Sequence, residues 1–242
     1  MKLSNRLEMV VSFVKSAKSA ADIGTDHGHV PVELVRRGVV EHAYAMDVRK
    51  GPLSKARENV AAAGLKEKIE TRLSDGLLKL NVGEADSVII AGMGGELMIH
   101  ILEDGCHMWD TVEQWILSPH SEQQKVREWL WNHGFPIVKE GMVFEEGKFY
   151  TVMDVGKYGH FDQTAANTEG RESREQDFRY SRYLRENRDP VFLAYLKDEE
   201  DKLENLRKNL EIQAEGSERA KVSLRDVEEK LSMNREVQHE MQ

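Results

Sequence analysis

The sequence predicts an α/β protein in which a doubly wound, seven-stranded sheet is followed by a helical coiled-coil segment. Short apolar runs that end in acidic residues or glycines alternate with helical patterns between residues 20 and 134. Two runs of alternating apolar and polar residues follow at 135–155, as in an antiparallel hairpin. Leucines at heptad-like spacing after residue 190 predict the helical segment. Five βα units with a closing hairpin give seven strands.

The first three strands and their helices are predicted from the spacing of apolar residues. Apolar side chains recur at helical positions in residues 4–17, which makes this segment an amphipathic helix. The elements that follow are a strand and loop at 20–29, a helix at 31–37, a strand at 43–47, a helix that begins at Gly51-Pro52 and stops at Gly64, and a strand at 69–73. Their order is that of a βαβ pattern with right-handed crossovers.

The remaining strands surround two predicted turns. Residues 86–91 are an apolar run suited to a strand that is buried on both faces. We predict a turn of bare backbone at Gly92-Met93-Gly94-Gly95 and a second turn at Ser118-Pro119-His120. The other elements are helices at 96–105 and 121–134 and strands at 115–117, 135–144 and 148–155. This combination separates the methyltransferase variant of the doubly wound fold from dehydrogenases.

The loop after the first strand, Asp22-Ile23-Gly24-Thr25-Asp26-His27-Gly28, indicates a ligand site. Its glycines allow a tight turn and a close approach of the next helix to a ligand. Asp47 ends the next strand 25 positions after Asp22, where related folds place the acid that binds ribose hydroxyls. The loop lacks the G-x-G-x-x-G pattern of a pyrophosphate binder. A nucleotide-like ligand is therefore predicted, with an ordinary strand-to-helix connection as the alternative.

Composition limits the class of protein. The 242 residues include one cysteine, Cys106, so no internal disulfide forms, and Cys and His show no zinc-site spacing. The N-terminal segment is too charged for a signal sequence and too short to span a membrane. We therefore expect a soluble, cytoplasmic, monomeric protein that binds no metal.

The charge is distributed unevenly along the chain. The net charge is −9, but residues 1–60 hold ten Lys and Arg against seven Asp and Glu. Arg6, Arg36 and Arg37 lie in this part, which predicts either a basic rim that meets phosphates or an ordinary solvated surface. Arginines at every third position from 179 predict a basic helical stripe, whose members Arg179, Arg182 and Arg185 are candidates for RNA contact.

Five motifs occur in order along the chain: DIGTDHG, AMDVRKGPLSKARENV, SDGL, AGMGGELM and SPH. Together they resemble the bacterial tRNA (adenine-N1)-methyltransferases that modify adenine 22. The resemblance covers residues 1–155 and, more loosely, the C-terminal helices. SPH departs from the Gln-Pro-Asn expected at this turn, so a polar contact from Gln or Asn is in question here. The resemblance implies a Rossmann-like class I methyltransferase fold, the cofactor S-adenosyl-L-methionine and a tRNA substrate.

The resemblance also implies a role for individual residues. Asp22 and Gly24 would shape the methionine end of the cofactor site, Asp47 would bind the ribose, and Asp75 with the Gly76 amide would read the adenine. The implied cofactor contacts also include Thr25, Gly28, Val48 and Gly92. The candidate catalytic residues are Asp26, His27, Gly92, Met93 and Gly94. Asp75 by itself is more typical of a polar turn.

Because of the chemistry of adenine N1, we expect catalysis to depend mainly on how the enzyme positions the base. Adenine N1 has a free lone pair at neutral pH, so no general base is needed before attack. Asp26 is expected to stabilise the positive charge that moves onto the base. His27 either orients the base or is an ordinary loop histidine. Extrusion of the nucleotide from the folded tRNA would cost a few kcal/mol.

The predicted domains are a methyltransferase domain at 1–156, a linker at 157–173 and a helical domain at 174–242. In the helical domain the predicted contact residues are Leu196, Leu203, Leu206, Leu210, Leu224, Val227 and Leu231. Its two antiparallel helices are either a packing structure or an arm that embraces tRNA. Two other functions stay open: a methyltransferase of a small molecule or protein, and a cofactor-binding partner protein without catalysis.

Overall fold

The structure, a computed structural model, describes residues 3–159, 171–214 and 217–242. The chain divides into two compact units, Met1–Gly170 and Arg171–Gln242. Most of the predicted linker at 157–173 lies outside the described residues, and so does the predicted helix interruption at Gly216. Each unit is described by itself below.

The first unit is the predicted seven-stranded sheet with helices. Its elements are α1 Asn5–Phe13, β1 Ala17–Ile23, α2 His29–Arg36, β2 Val40–Asp47, α3 Lys50–Ala62, β3 Ile69–Leu73, β4 Ser87–Gly94, α4 Gly95–Asp104, a short 3-10 turn Cys106–Met108, β5 Gln114–Ser121, α5 Gln123–Asn132, β6 Ile137–Glu145 and β7 Lys148–Gly156. The strand order is β3-β2-β1-β4-β5-β7-β6. The first five strands are parallel and β7 is antiparallel to β5.

Helix α1 covers one side of the sheet, as the sequence predicts, through the buried side chains of Val10, Val11 and Phe13. It ends at Phe13, four residues earlier than predicted. Val14 has an extended backbone, and the next amide, that of Lys15, donates a hydrogen bond to Gln114 Oε1 of β5 at 2.9 Å. The chain therefore leaves the helix and bonds to the sheet before the apolar helical pattern of the sequence ends.

The two turns predicted after the fourth and fifth strands are wrong. Strand β4 continues through Gly94 and β5 through Ser121, and the two pair beyond Ala91 with irregular register. Gly92 has a φ of +86°, which only glycine adopts without strain, and it lies at the bulge. The glycine run thus lets a paired strand bend at its carboxyl end.

The second unit contains an antiparallel helical hairpin, as the sequence predicts. Its elements are α6 Arg171–Tyr180, α7 Arg182–Glu186, α8 Pro190–Ala214 and α9 Glu218–Glu240. Leu203 of α8 packs against Val227 and Leu231 of α9. The Asn234 side chain is buried and donates to the carbonyl oxygen of Leu196 at 3.1 Å, which fixes the register near the other end of the pair.

Two predictions for the helical unit are wrong. Leu206 is 46% exposed and does not belong to the contact between the helices. The arginine stripe does not lie along one helix, because the chain breaks at Ser181, whose φ of 30° is outside the helical range. The Ser181 side chain then accepts from the Leu184 amide and begins a new helix.

Candidate active site

The candidate site is the crevice at the carboxyl ends of the parallel strands. Strand β1 lies between β2 and β4, so the connections from β1 and from β4 leave to opposite sides of the sheet. Open α/β sheets bind ligands at such a switch point. The loop at residues 24–28 follows β1 at this edge.

Contacts from β2 and α3 fix the loop at 24–28. The Thr25 amide donates to the Met46 carbonyl oxygen at 2.8 Å, and Asn59 Nδ2 donates to the His27 carbonyl oxygen at 2.8 Å. Gly24 and Gly28 have φ values of +73° and +70°, and His27 has +60°. A histidine in the left-handed region is uncommon and costs strain that the surrounding contacts must offset.

Three carboxylates of the predicted site lie close together: Asp22 at the end of β1, Asp26 on the loop and Asp47 at the end of β2. Asp22 and Asp47 are buried, whereas the Asp26 side chain is 85% exposed and lies 3.3 Å from His27 Nε2. Burial raises the pKa of Asp22 to about 6, and the charges of Asp26 and Asp47 add to this effect. A hydrogen bond with the Thr25 side chain and the charge of Arg6 oppose it. Asp47 Oδ1 accepts a 2.6 Å hydrogen bond from the Arg49 amide. The crevice therefore holds a buried acid that a bound cation would stabilise.

The Thr25 hydroxyl lies beside Asp22. The Thr25 side chain is fully buried, and its hydrogen bond with the Asp22 carboxylate lowers the pKa of that acid against the effect of burial. A buried carboxylate with a hydroxyl beside it suits a cationic ligand that also forms hydrogen bonds.

The other predicted cofactor residues lie at the ends of β2 and β3. Val48 follows Asp47 and is 58% exposed, although its side chain is apolar. Asp75 is exposed just after β3, and Gly76 has a φ of +48° in the same turn. An exposed apolar side chain beside exposed polar groups suits the face and the edge of a heterocyclic ring.

The predicted catalytic residues at the end of β4 contact the loop after β1. The Met93 side chain lies directly over Gly24, where a β-carbon would overlap its terminal methyl group. Gly94 and Gly95 lie against Ser121 and Glu122 at the end of β5. The structure therefore joins the two glycine-containing motifs in one corner of the crevice.

Sequence reasoning missed two aromatic residues at this corner. The His120 and Tyr150 rings lie 5.3 Å apart, and the Arg6 guanidinium lies 5.5 Å from the centre of the Tyr150 ring. Arg6 is held there because Glu145, at the tip of the β6–β7 hairpin, accepts hydrogen bonds from the Asn5 and Arg6 amides. Only the pairing of β5 with β7 brings Tyr150 beside His120, and the sequence carries no local signal of it.

The structure does not place Arg36 and Arg37 beside the crevice. Helix α2 begins at the carboxyl end of β1 and ends before β2 starts, so both arginines lie toward the opposite edge of the sheet. Arg37 makes a two-pronged ion pair with Glu8 at 2.5 and 2.8 Å, and Arg36 lies 3.5 Å from Glu33. Arg37 therefore joins α2 to α1, whereas Arg36 pairs within α2.

All three candidate RNA-binding arginines in the second unit are engaged in ion pairs. Arg179 pairs with Glu199 at 3.0 Å, and Arg185 pairs with Asp177 and Glu240 while its side chain is only 12% exposed. Arg182 pairs with Glu186 at 2.7 Å and stays 54% exposed. Contact with RNA stays a prediction, for which Arg182 is the most accessible of the three.

Gly95 is expected to be essential for the corner of the crevice. A β-carbon at this position would lie 2.9 Å from the Ser121 carbonyl oxygen and 3.0 Å from that of Glu122. Because these are backbone atoms, Gly95→Ala must separate α4 from β5, and we expect a loss of about 2 kcal/mol in the free energy of unfolding. Urea denaturation measures this change.

Gly51→Ala is the matched control for Gly95→Ala. Gly51 lies in the first turn of α3, and no neighbouring atom of the described residues comes within 4 Å of the place that a β-carbon would take. Its variant should therefore unfold within about 1 kcal/mol of the unchanged protein. A Gly95→Ala protein as stable as Gly51→Ala would contradict the packing described here.

The amino-acid sequence of this chain is similar to those of known proteins. Residues 3–153 match the sequence profile of a family described as "Methyltransferase domain". The curated tRNA (adenine(22)-N(1))-methyltransferase of Bacillus subtilis is 37% identical over 153 residues, which are 63% of this chain and 64% of that protein. The matched region thus spans slightly less than two thirds of that relative.

Solved structures match over a longer part of the chain. The crystal structure of the B. subtilis m1A22 tRNA methyltransferase TrmK has 30% identity and a TM-score of 0.86, and the match covers 98% of this chain and 99% of that one. Sp1610 of Streptococcus pneumoniae, in complex with S-adenosyl-L-methionine, has 36% identity and a TM-score of 0.83, with coverage of 98% and 100%. The similarity therefore includes both units.

Proposed function

Because the chain belongs to the family of tRNA (m1A22) methyltransferases, we propose that it transfers a methyl group from S-adenosyl-L-methionine to N1 of an adenine in tRNA, at position 22 as in its B. subtilis relative. The observation that carries the proposal is the crevice at the β1/β4 switch point. Its buried Asp22 and Asp47 lie beside a glycine-containing loop that is not built for phosphates.

The residues of the crevice fit the proposed cofactor. Asp22 would pair with the methionine ammonium group, whose positive charge favours the ionised acid, and the buried Thr25 hydroxyl beside it would line this end. Asp47 would accept hydrogen bonds from the ribose hydroxyls. Val48 would cover a face of the adenine, and Asp75 with the Gly76 amide would contact its edge. Gly24, Gly28 and Gly92 would keep the backbone close to the ligand.

The bound cofactor supplies an electrophilic methyl group on a sulfonium. The residues of the chain then have to hold adenine N1 in line with the bond that breaks, at about 3–3.5 Å from the methyl carbon. Gly92, Met93 and Gly94 are proposed to bound the base at the end of β4. Asp26, and His27 beside it, would face the positive charge that arrives on the base. No residue needs to remove a proton before the attack.

The proposal also states where the protein acts and which part of it contacts tRNA. No helix among residues 3–159, 171–214 and 217–242 is long and apolar enough to cross a membrane. Over the same residues, no group of three or more His, Cys, Asp or Glu is arranged to hold a metal ion. We propose that the protein acts on tRNA in the cytoplasm as a monomer and that the helical unit contacts the tRNA.

A pair of arginine variants tests the role of the helical unit. Arg182→Ala should weaken tRNA binding several-fold and lower the slope of log affinity against log salt by about 1, because one phosphate contact is lost. Arg185→Ala should lower the free energy of unfolding by about 2–4 kcal/mol, because it removes a guanidinium that is only 12% exposed and pairs with Asp177 and Glu240. Filter binding across salt concentrations and thermal denaturation measure the two effects.

The arginine pair also shows what would contradict this role. If Arg182→Ala binds tRNA with unchanged affinity and salt slope, the exposed arginine does not contact the backbone of the nucleic acid. The thermal transition of Arg182→Ala should stay close to that of the unchanged protein, since its ion pair is at the surface.

The function itself is tested by methyl transfer to unmodified tRNA. The protein is incubated with labelled S-adenosyl-L-methionine and bulk tRNA, and the nucleosides of the product are separated. A labelled 1-methyladenosine is the expected result. Label in another nucleoside would reject the target atom, and cofactor binding without labelled tRNA would favour a small-molecule or protein substrate.

A further inference from the structure

The sheet order determines where the target base must lie if the proposed function is correct. The residues proposed for the cofactor lie at the ends of β3, β2 and β1, which are consecutive in the sheet, with the methionine end at β1. The next strands in the order are β4 and β5. The base that receives the methyl group therefore lies over the ends of β4 and β5, where Gly92 and His120 are.

Gly92 lies beside Arg6 and His120 at this corner. A β-carbon at Gly92 would lie 3.5 Å from Arg6 Nη1 and 3.8 Å from His120 Cε1 and Nε2. A side chain at Gly92 would therefore lie against these two groups, and its absence leaves them open on that side. His120 also contacts Tyr150, with ring centres 5.3 Å apart, and is exposed at the crevice.

The surroundings of His120 favour its neutral form. Burial lowers its pKa, and the positive charges of Arg6 on α1 and Lys148 on β7 lower it further. Tyr150 is the other titratable group in contact with the ring. The nearby Glu122 carboxylate is engaged by the Glu96 amide at 3.1 Å and by Lys125. A neutral imidazole has one nitrogen that accepts a hydrogen bond and one that donates.

We propose that His120 accepts a hydrogen bond from the exocyclic amino group of the target adenine and thereby makes the site specific for adenine. The inference rests on the proposed function. The amino group is adjacent to N1 on the same edge of the base, so an acceptor beside the methylated atom is required to read it. Guanine presents a carbonyl oxygen at the same place, and an acceptor facing it would be left unpaired.

The same contact stabilises the reaction. Methylation places positive charge on the ring, which makes the amino group a stronger donor, so its hydrogen bond to a neutral imidazole strengthens during the transfer. A protonated His120 has only donors and would face the amino group without an acceptor. In this arrangement the positive charges of Arg6 and Lys148 keep His120 neutral, so that one ring nitrogen can accept the hydrogen bond.

A double-mutant cycle between the enzyme and the base tests the proposal. The substrates are tRNA with adenine or with purine, which lacks the amino group, at the target position, and the enzymes are the unchanged protein and His120→Ala. Purine is also a weaker nucleophile, but this intrinsic effect is the same for both enzymes and cancels. We expect the purine penalty on kcat/KM to be about tenfold larger for the unchanged protein than for His120→Ala.

Three variants make the cycle specific. His100→Ala is the matched control, because His100 is exposed on α4 and pairs with Asp104 of the same helix, so its purine penalty should equal that of the unchanged protein. His27→Ala tests the other histidine of the crevice and should also keep the full penalty. His120→Asn retains an acceptor and should recover most of the discrimination.

The pH dependence supplies a second measurement. The pKa of His120 is held below its usual range, so at saturating cofactor kcat/KM for tRNA should fall only when acid protonates this imidazole, and His120→Asn should lack this decrease. Equal purine penalties for the unchanged protein and His120→Ala would overturn the proposal, even if adenine is methylated. Methylation of a different nucleoside by the unchanged protein would overturn both this inference and the proposed function.

Discussion

Asp22→Asn is expected to stabilise the folded protein while it removes most of its affinity for S-adenosyl-L-methionine. Burial raises the pKa of Asp22 from 3.8 to about 6, so the ionised acid destabilises the fold at neutral pH. A shift of this size corresponds to at most about 3 kcal/mol, and the neutral amide removes it. Loss of the buried partner of the ammonium group should weaken cofactor binding by about 100-fold or more.

The pH dependence of this stabilisation has a definite sign. The folded pKa of Asp22 is raised, so between about pH 4 and 6 the folded protein binds a proton that the unfolded chain has lost. The stability that comes from this proton is lost as the pH rises through 6. The advantage of Asp22→Asn should therefore be full at pH 8 and absent at pH 4. Thermal denaturation across this range and calorimetric titration of the cofactor measure the two effects.

Asp75→Asn is the matched control for the stability effect. Asp75 is also proposed to bind the cofactor, but it is exposed, so its neutral variant should change the free energy of unfolding little. A destabilised Asp22→Asn at pH 8 would contradict the assignment of Asp22 as a buried, unfavourable charge. Unchanged cofactor affinity would remove Asp22 from the proposed site.

Asp26→Ala is expected to lower turnover by roughly 100-fold while cofactor affinity stays nearly unchanged. The Asp26 side chain is 85% exposed, so water screens its charge in the free protein. Once tRNA covers the crevice, water is excluded and the carboxylate acts more strongly on the positive charge that arrives on the base. Single-turnover rates at saturating cofactor and tRNA report this step directly.

The chain offers a close control for the Asp26 variant. Asp104 on α4 pairs with His100 at 3.3 Å, the distance between Asp26 and His27. Asp104→Ala removes the same kind of exposed His–Asp pair away from the crevice and should leave turnover unchanged. Equal single-turnover rates for Asp26→Ala and the unchanged protein would reject the proposed role of Asp26.

The sequence predicts the strands well where burial alone decides them. The run at 69–73 is β3 as observed, and the run at 86–91 is the core of β4. The ends of β4 and β5 were not predictable from local pattern. Glycines and a proline at 92–95 and 118–120 are typical of turns, but the two strands pair there by means of a bulge.

Part of the candidate site was predictable because it follows from the order of the buried strands. Asp22 and Asp47 follow apolar runs, so their place at the carboxyl edge follows from the order of the strands. The positions of Arg6 and Tyr150 depend on contacts across most of the first unit, which no local pattern reports. Likewise, Glu199 and Glu240, which pair with Arg179 and Arg185, lie on later helices of the second unit.

The hydrogen bond that holds the first helix against the last hairpin has a consequence during synthesis. The Asn5 amide and the Glu145 carboxylate that accepts from it at 2.7 Å are 140 residues apart. At roughly 5–20 residues per second, a ribosome needs on the order of ten seconds to add the second partner after the first. Throughout that interval the N-terminal helix lacks this hydrogen bond to the hairpin. Arg6 can therefore reach its place beside His120 only after translation has passed the hairpin.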